Sequence, residues 1–356
     1  MSNSNKKSKS SFLLFLVVFV VIAAFMFISN LRSDLKYELA APPDGVMKLY
    51  TVGDNLVAIS KANEFYLWDW NNLEAKPQKG SVRAKKLLCL DDERILYIPS
   101  NNSGMAFVSN FTAEKIYKRL SLGYNKQCDY MEISGNGRFV VFALTDKSDA
   151  DIRNSHPKKI QLKILDVNSY QLSFAAEIDL ADGSILIRNI AVSNDGWFIG
   201  LVGQVRDAGW VSVVDTKLKK LLWEKQVPKE KKNTCVAFSP DTKFIYAASI
   251  EKNIHKYQSR SGWLTDEIAT TKSQKGRIET NPLLNITVSP DSKLLAATVT
   301  PIFFVWDCHN SSRPLFKKGT GHKIASGLSF APDSRALATS DIRQSGNVKI
   351  WKLAKN

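Results

Sequence analysis

The sequence predicts an all-β fold, a seven-bladed β-propeller over residues 36–356, preceded by one transmembrane helix over residues 12–28 and a basic tail over residues 1–11. Three observations predict it. A strand–turn–strand grammar recurs along the chain, no stretch beyond residue 36 holds a helical period, and one uncharged apolar run lies near the N-terminus. With 356 residues, 44% of them apolar, the chain has enough apolar surface to bury a core, which excludes wholesale disorder.

The apolar run comes first. Phe12 to Ile28 is seventeen residues without a charge, a Pro or a Gly. That is the lower limit of a bilayer span and too uniform for an amphipathic helix. A cleaved signal peptide has an apolar core of about 7–15 residues that ends at small residues. Here Leu31, Arg32, Asp34 and Lys36 follow instead, so an uncleaved signal-anchor is expected. Lys6, Lys7 and Lys9 favour a cytoplasmic tail, which places the propeller extracytoplasmically, in a periplasm or lumen. Arg32, Lys36 and Lys48 on the other flank weaken that bias, and a cytosolic ring is the alternative.

The repeat follows. Val236-Ala-Phe-Ser-Pro-Asp-Thr-Lys-Phe-Ile-Tyr, Ile286-Thr-Val-Ser-Pro-Asp-Ser-Lys-Leu-Leu-Ala and Leu328-Ser-Phe-Ala-Pro-Asp-Ser-Arg-Ala-Leu-Ala share one pattern, an alternating strand, a tight turn and a more apolar strand. Ile190-Ala-Val-Ser-Asn-Asp-Gly and Met131-Glu-Ile-Ser-Gly-Asn-Gly are eroded copies, and weaker ones begin at Leu49 and Leu88. Taking Asp54, Asp92, Asn136, Asp195, Asp241, Asp291 and Asp333 as markers gives spacings of 38, 44, 59, 46, 50 and 42. Seven units of this length make a propeller.

A third strand closes most units at Trp68-Asp69, Leu165-Asp166, Val214-Asp215, Trp306-Asp307 and Trp351-Lys352. With Gly321-His322 as its one Gly-His pair, the chain resembles the WD40-repeat family over roughly residues 36–356. The resemblance implies a buried His, Ser or Thr, Asp and Trp network in each blade. Only the last blade offers one, in His322, Ser340, Asp341 and Trp351, so apolar packing is expected to hold the others. The last unit also ends five residues after Trp351, one strand short. An exposed edge there is a liability. Leu35 to Ala40, followed by the turn Pro42-Pro43-Asp44-Gly45, is the expected donor, a ring closure the resemblance also implies.

That closure orients the ring. The donated strand starts on the face carrying first-to-second and third-to-fourth strand turns, so this face is expected against the lipid. The opposite, distal face carries the long insertions and basic loops, with about twice as many basic as acidic side chains. The whole chain has 49 Lys plus Arg against 34 Asp plus Glu, a formal charge of +15. The distal face is therefore read as a docking platform for an acidic protein segment or an anionic polymer, through Arg153, His156, Lys158, Arg206, Trp210 and Arg343. A solubilising Lys-rich surface is the plainer alternative. Trp197 and Trp263 are further candidate anchors, although Trp in a propeller is normally strand packing. No recognition helix is present, so nucleic acid is not an expected partner.

The inventory for catalysis is poor. The four His are scattered, with no HExxH, no GxSxG elbow and no phosphate loop. Gly135-Asn-Gly137 reads as a turn, and Asp146, Asp149 and Asp151 lack the alternation of a calcium loop. Cys308-His309 has no third partner in sequence. Cys89, Cys128, Cys235 and Cys308 lie too far apart for a zinc ribbon or a disulfide scaffold. Asn101, Asn110, Asn285 and Asn310 match the glycosylation pattern; in so Asn- and Ser-rich a chain a couple are expected by chance, so they do not establish a lumenal protein. The expectation is a non-catalytic, membrane-anchored binding scaffold without cofactor or metal. The alternatives are a propeller hydrolase or lyase with a central-channel site, and a cytosol-facing WD40 trafficking or exchange factor.

Overall fold

A computed structural model describes residues 34–101, 104–146, 157–180, 185–227, 233–250, 253–270, 283–343 and 347–353. Every regular element among them is a strand. Strand β1 (Leu35–Leu39) stands alone ahead of the first blade. Blade 1 is β2 (Val46–Val52), β3 (Asn55–Ser60), β4 (Glu64–Asp69) and β5 (Gln78–Ser81). Blade 2 is β6 (Ala84–Cys89), β7 (Arg94–Pro99), β8 (Met105–Asn110) and β9 (Ile116–Ser121). Blade 3 is β10 (Lys126–Ile133), β11 (Phe139–Asp146), β12 (Lys159–Asp166) and β13 (Gln171–Asp179). Blade 4 is β14 (Ile185–Val192), β15 (Phe198–Val205), β16 (Ala208–Asp215) and β17 (Lys220–Val227). Blade 5 is β18 (Asn233–Phe238), β19 (Phe244–Ser249), β20 (Asn253–Gln258) and β21 (Leu264–Ala269). Blade 6 is β22 (Leu283–Val288), β23 (Leu294–Val299), β24 (Ile302–Asp307) and β25 (Phe316–Gly319). Blade 7 is β26 (Ala325–Phe330), β27 (Ala336–Asp341) and β28 (Val348–Lys352), with β1 as its outermost strand.

The pairing that closes the ring is antiparallel, from Leu35 opposite Trp351 to Leu39 opposite Val348. Lys352 N donates to Asp34 O at 2.7 Å, and Asn347 Nδ2 donates to Glu38 Oε1 at 2.8 Å. Lys318 Nζ of blade 6 pairs with Asp34 at 2.5 Å.

Second strands such as Phe139-Val-Val-Phe-Ala-Leu-Thr are buried along nearly their whole length, because each blade is covered on both faces. The buried residues fall into seven apolar clusters, one at each seam between neighbouring blades. Leu39 and Val348 of blade 7, for instance, share a cluster with Leu56 and Trp68 of blade 1. A blade removed from the ring exposes two such faces, so the seven units stand or fall as a circle. The four cysteines are buried, and no disulfide joins them.

The repeated turn between the first two strands of a blade has a common chemistry. In blade 5 the Ser239 hydroxyl donates to Asp241 Oδ1 at 2.6 Å and accepts from Phe244 N at 3.0 Å. Ser289 and Asp291 in blade 6, and Ser193 and Asp195 in blade 4, repeat the pattern, with Asn136 replacing Asp in blade 3. The residue after the acid is left-handed, Gly in blades 3 and 4 but Thr242 and Ser292 at φ 61 in blades 5 and 6.

These turns also bond to one another. Asn136 N donates to Asn194 Oδ1 at 3.1 Å, Asn194 Nδ2 to Pro240 O at 3.4 Å, Asp241 N to Ser292 Oγ at 3.2 Å and Asp291 N to Ser334 Oγ at 3.3 Å. A chain of hydrogen bonds thus runs from blade 3 to blade 7. Near the axis, Lys48 on β2 reaches past blade 2 to blade 3, donating to Met131 O at 2.8 Å and pairing with Glu132 at 2.7 Å.

Residues 1–33 lie outside the described residues, so the expected tail and transmembrane helix do too. Among the described residues no helix is long and apolar enough to cross a membrane.

Candidate binding face

The last blade carries the polar network anticipated from sequence, with one change of residue. Trp351 Nε1 donates to Thr339 Oγ1 at 2.9 Å, and His322 Nε2 lies 3.0 Å from the same hydroxyl. The bridging hydroxyl is therefore Thr339, not Ser340. Alternation along β27 turns Ser340 to the opposite face, where its Oγ is buried without a hydrogen-bond partner among the described residues and occupies the space a side chain at Gly327 would need. Asp341 accepts from Lys323 N at 2.7 Å and from Arg343 N at 2.9 Å, tying the connection into β26 to the turn after β27 at the distal end of the blade. Burial first, then the nearby Lys349 charge, pushes the His322 imidazole down to about 4. The group is structural.

Second-to-third strand turns and blade-to-blade connections gather on the distal face. Lys158 is exposed at the head of β12, and Arg206 is exposed at φ 49 in the two-residue turn between β15 and β16. Arg343 is exposed beyond β27. Arg153 and His156 lie outside the described residues.

Trp210 is a correction. It is 1% exposed, its Nε1 donates to Glu224 Oε2 at 3.1 Å, and its carbonyl accepts from Asn233 Nδ2 at 3.3 Å. Alternation along β16 sends its indole into the seam between blades 3 and 4, so it presents no surface to a partner. Trp197 and Trp263 are exposed, but in turns on the opposite face.

Sequence reasoning missed a cavity of about 400 Å³ that opens between blades 3 and 4 on the distal face. Pro157, Ile160, Leu180, Ile185, Leu186 and Ile187 supply apolar wall, while Gln127, Asp129, Tyr130 and Thr145 form its polar side. Asp129 is fixed by two neutral donors, Gln127 Nε2 at 2.8 Å and Thr145 Oγ1 at 2.7 Å. Tyr130 donates to Ile187 O at 2.7 Å and ties the two blades together beside the opening. Burial, then the neighbouring Asp129, raises the Tyr130 phenol, so it stays a hydrogen-bond donor. One oriented carboxylate against an apolar wall can seat a side chain that is apolar along its length and a donor at its tip.

At the central channel the inner strands bring Lys48 and Glu132 together as an ion pair, with Lys86 nearby, its ammonium pKa lowered chiefly by burial. Among the described residues no group of three or more His, Cys, Asp or Glu side chains is placed to hold a metal ion.

The family model for the WD domain, G-beta repeat, matches residues 314–352. That span holds β25 of blade 6 followed by β26, β27 and β28, so the repeat in sequence is one strand out of step with the blade in space. The chain folds as a seven-bladed propeller, and its last repeat is similar to the WD40 repeat, whose propellers typically hold protein partners. No curated protein matches the chain.

Proposed function

We propose that this chain is a membrane-anchored, non-catalytic scaffold that docks a protein partner on the distal face of its ring. The observation that carries the reading is the cavity between blades 3 and 4. Its apolar wall and single oriented carboxylate open on the face with the surplus of basic loops. Basic loops raise the encounter rate with an acidic partner, and a desolvated apolar pocket supplies the short-range affinity. Lys158 and Arg206 belong to the steering surface, and Arg343 extends it toward blade 7. Phe12 to Ile28 anchors the chain, the tail stays cytoplasmic, and the ring stands extracytoplasmically with its distal face away from the lipid.

A photo-crosslinker at position 186 in the full-length membrane chain tests the docking face, with a control at Lys219 on the opposite face. The expected result is one protein band at 186 that is absent at 219. Lys158→Glu with Arg206→Glu should weaken that band roughly tenfold, about 1.4 kcal/mol. A band unaffected by charge reversal and by Asp129→Asn would overturn the reading. Protease added to the cytoplasmic side of sealed vesicles should leave the ring intact, and digestion would overturn the orientation.

A further inference from the structure

On the face opposite the cavity, blades 4 and 5 leave large apolar side chains in the open. Trp197 is 38% exposed, Leu218 59% and Trp263 70%. They belong to one patch. Lys217 Nζ stands 3.3 Å from the centre of the Trp197 ring, and the Arg260 guanidinium lies 5.9 Å from it. Arg260 and Trp263 share the turn after β20, and Trp223 Nε1 of blade 4 donates to Ser259 O of that turn at 2.8 Å. The patch therefore spans the seam between blades 4 and 5 and is built on packed strands.

Exposed aromatic and aliphatic side chains gathered in one place mark a contact surface. These project from turns, which fits a flat, yielding partner. Indole rings beside Lys and Arg are the combination that suits the headgroup layer of a bilayer, where the rings sit among the glycerol groups and the cations meet phosphate.

Position supplies the second argument. The patch is on the same face as Asp34, where β1 begins. Five residues, Ser29 to Ser33, separate Asp34 from the apolar run Phe12–Ile28, a span of at most about 18 Å. Asp34 enters at blade 7, two to three blades round the ring from the patch. A tether at one sector leaves a disc free to tilt, and a second contact on a distant sector removes that freedom.

We infer that Trp197, Leu218 and Trp263 enter the headgroup layer of an anionic bilayer, with Lys217 and Arg260 on lipid phosphates, and that this contact sets the tilt of the ring. The inference rests on the N-terminal anchor proposed above.

The test uses the full-length chain reconstituted into phosphatidylcholine–phosphatidylglycerol vesicles with plain or brominated acyl chains. Brominated lipid should quench the tryptophan emission, and Trp197→Phe with Trp263→Phe should remove most of the quenching while the chain still floats with the vesicles. Lys217→Glu with Arg260→Glu should reduce the quenching severalfold in the anionic vesicles and leave it unchanged in pure phosphatidylcholine. Quenching absent from the wild-type chain, or unchanged in the double Phe variant, would overturn the inference, as would a crosslink from position 218 to a second copy or another protein. Loss of flotation after an alkaline wash would overturn the anchor alone, because quenching is read before the wash.

Discussion

The two faces of the ring are built by different rules. On the face of the first-to-second strand turns, one short Ser-x-Asp design recurs, and its turns bond to one another from Asn136 round to Ser334. On the distal face the connections share no design. They run from the two-residue turn at Arg206 to long insertions, and an open cavity separates two blades there. Repetition is what stability asks of a circular stack, since each seam must match the next. Irregularity is what a binding surface asks, since only one sector needs to fit a partner. Repetition and irregularity thus sit at opposite ends of the same strands.

Substitutions should obey that division, and the largest effects belong to the stitched face. Gly137 is left-handed at φ +74, and a Cβ there would lie 2.7 Å from Val52 Cγ2. Gly137→Ala should cost about 3 kcal/mol, from left-handed strain and overpacking together, read as a lower urea midpoint.

Buried groups stand outside the division: His322, in the connection into β26 at the distal end of blade 7, should give a pH signature of similar size. Its imidazole, pushed down to about 4 in the fold, returns to about 6.5 in the unfolded chain. The unfolded state then binds the extra proton, so stability should fall as pH drops from about 6.5 to 4, by an amount on the order of 3 kcal/mol. Thermal melts across that range should show the slope, and His322→Asn should flatten it. Asp241 and Asp291 contribute in a lower window. Burial opposes ionisation, but the Ser hydroxyls and backbone amides outweigh it and hold both carboxyls low, so their share is lost only below about pH 4.

Asn194→Ala removes the acceptor for Asn136 N and the donor to Pro240 O at once. A loss of about 1–2 kcal/mol is expected in the same urea titration. The smallest effect belongs to the distal face, where Lys158→Glu with Arg206→Glu should change stability by less than about 0.5 kcal/mol. If that pair proved as damaging as Asn194→Ala, the division of labour between the faces would be wrong.

How much of this the sequence disclosed follows from the same division. The blade count was legible because Ser-Pro-Asp turns are dictated locally, by side chains that bond their own backbone. The closing strand was legible from a count of strands and an alternating Leu35-Lys-Tyr-Glu-Leu. The cavity was not, because Gln127 and Ile187 are sixty residues apart and meet only when two blades are set side by side. Trp210 and Trp263 show the limit most plainly. One fills a seam and the other is 70% exposed, because Trp210 points inward from β16 while Trp263 stands in the turn ahead of β21. Thr339 and Ser340 differ by which side of β27 each occupies.

The splice between β1 and β28 also has a mechanical meaning. Any pull on the chain ahead of Asp34 runs along β1, parallel to the strand, and loads the hydrogen bonds from Leu35–Trp351 to Leu39–Val348 together. The bonds that shut the circle are therefore the first to feel traction from that end, and they feel it in shear, where a ladder shares the load across all its rungs. Force applied there strains the fastening of the whole disc before it reaches blade 1.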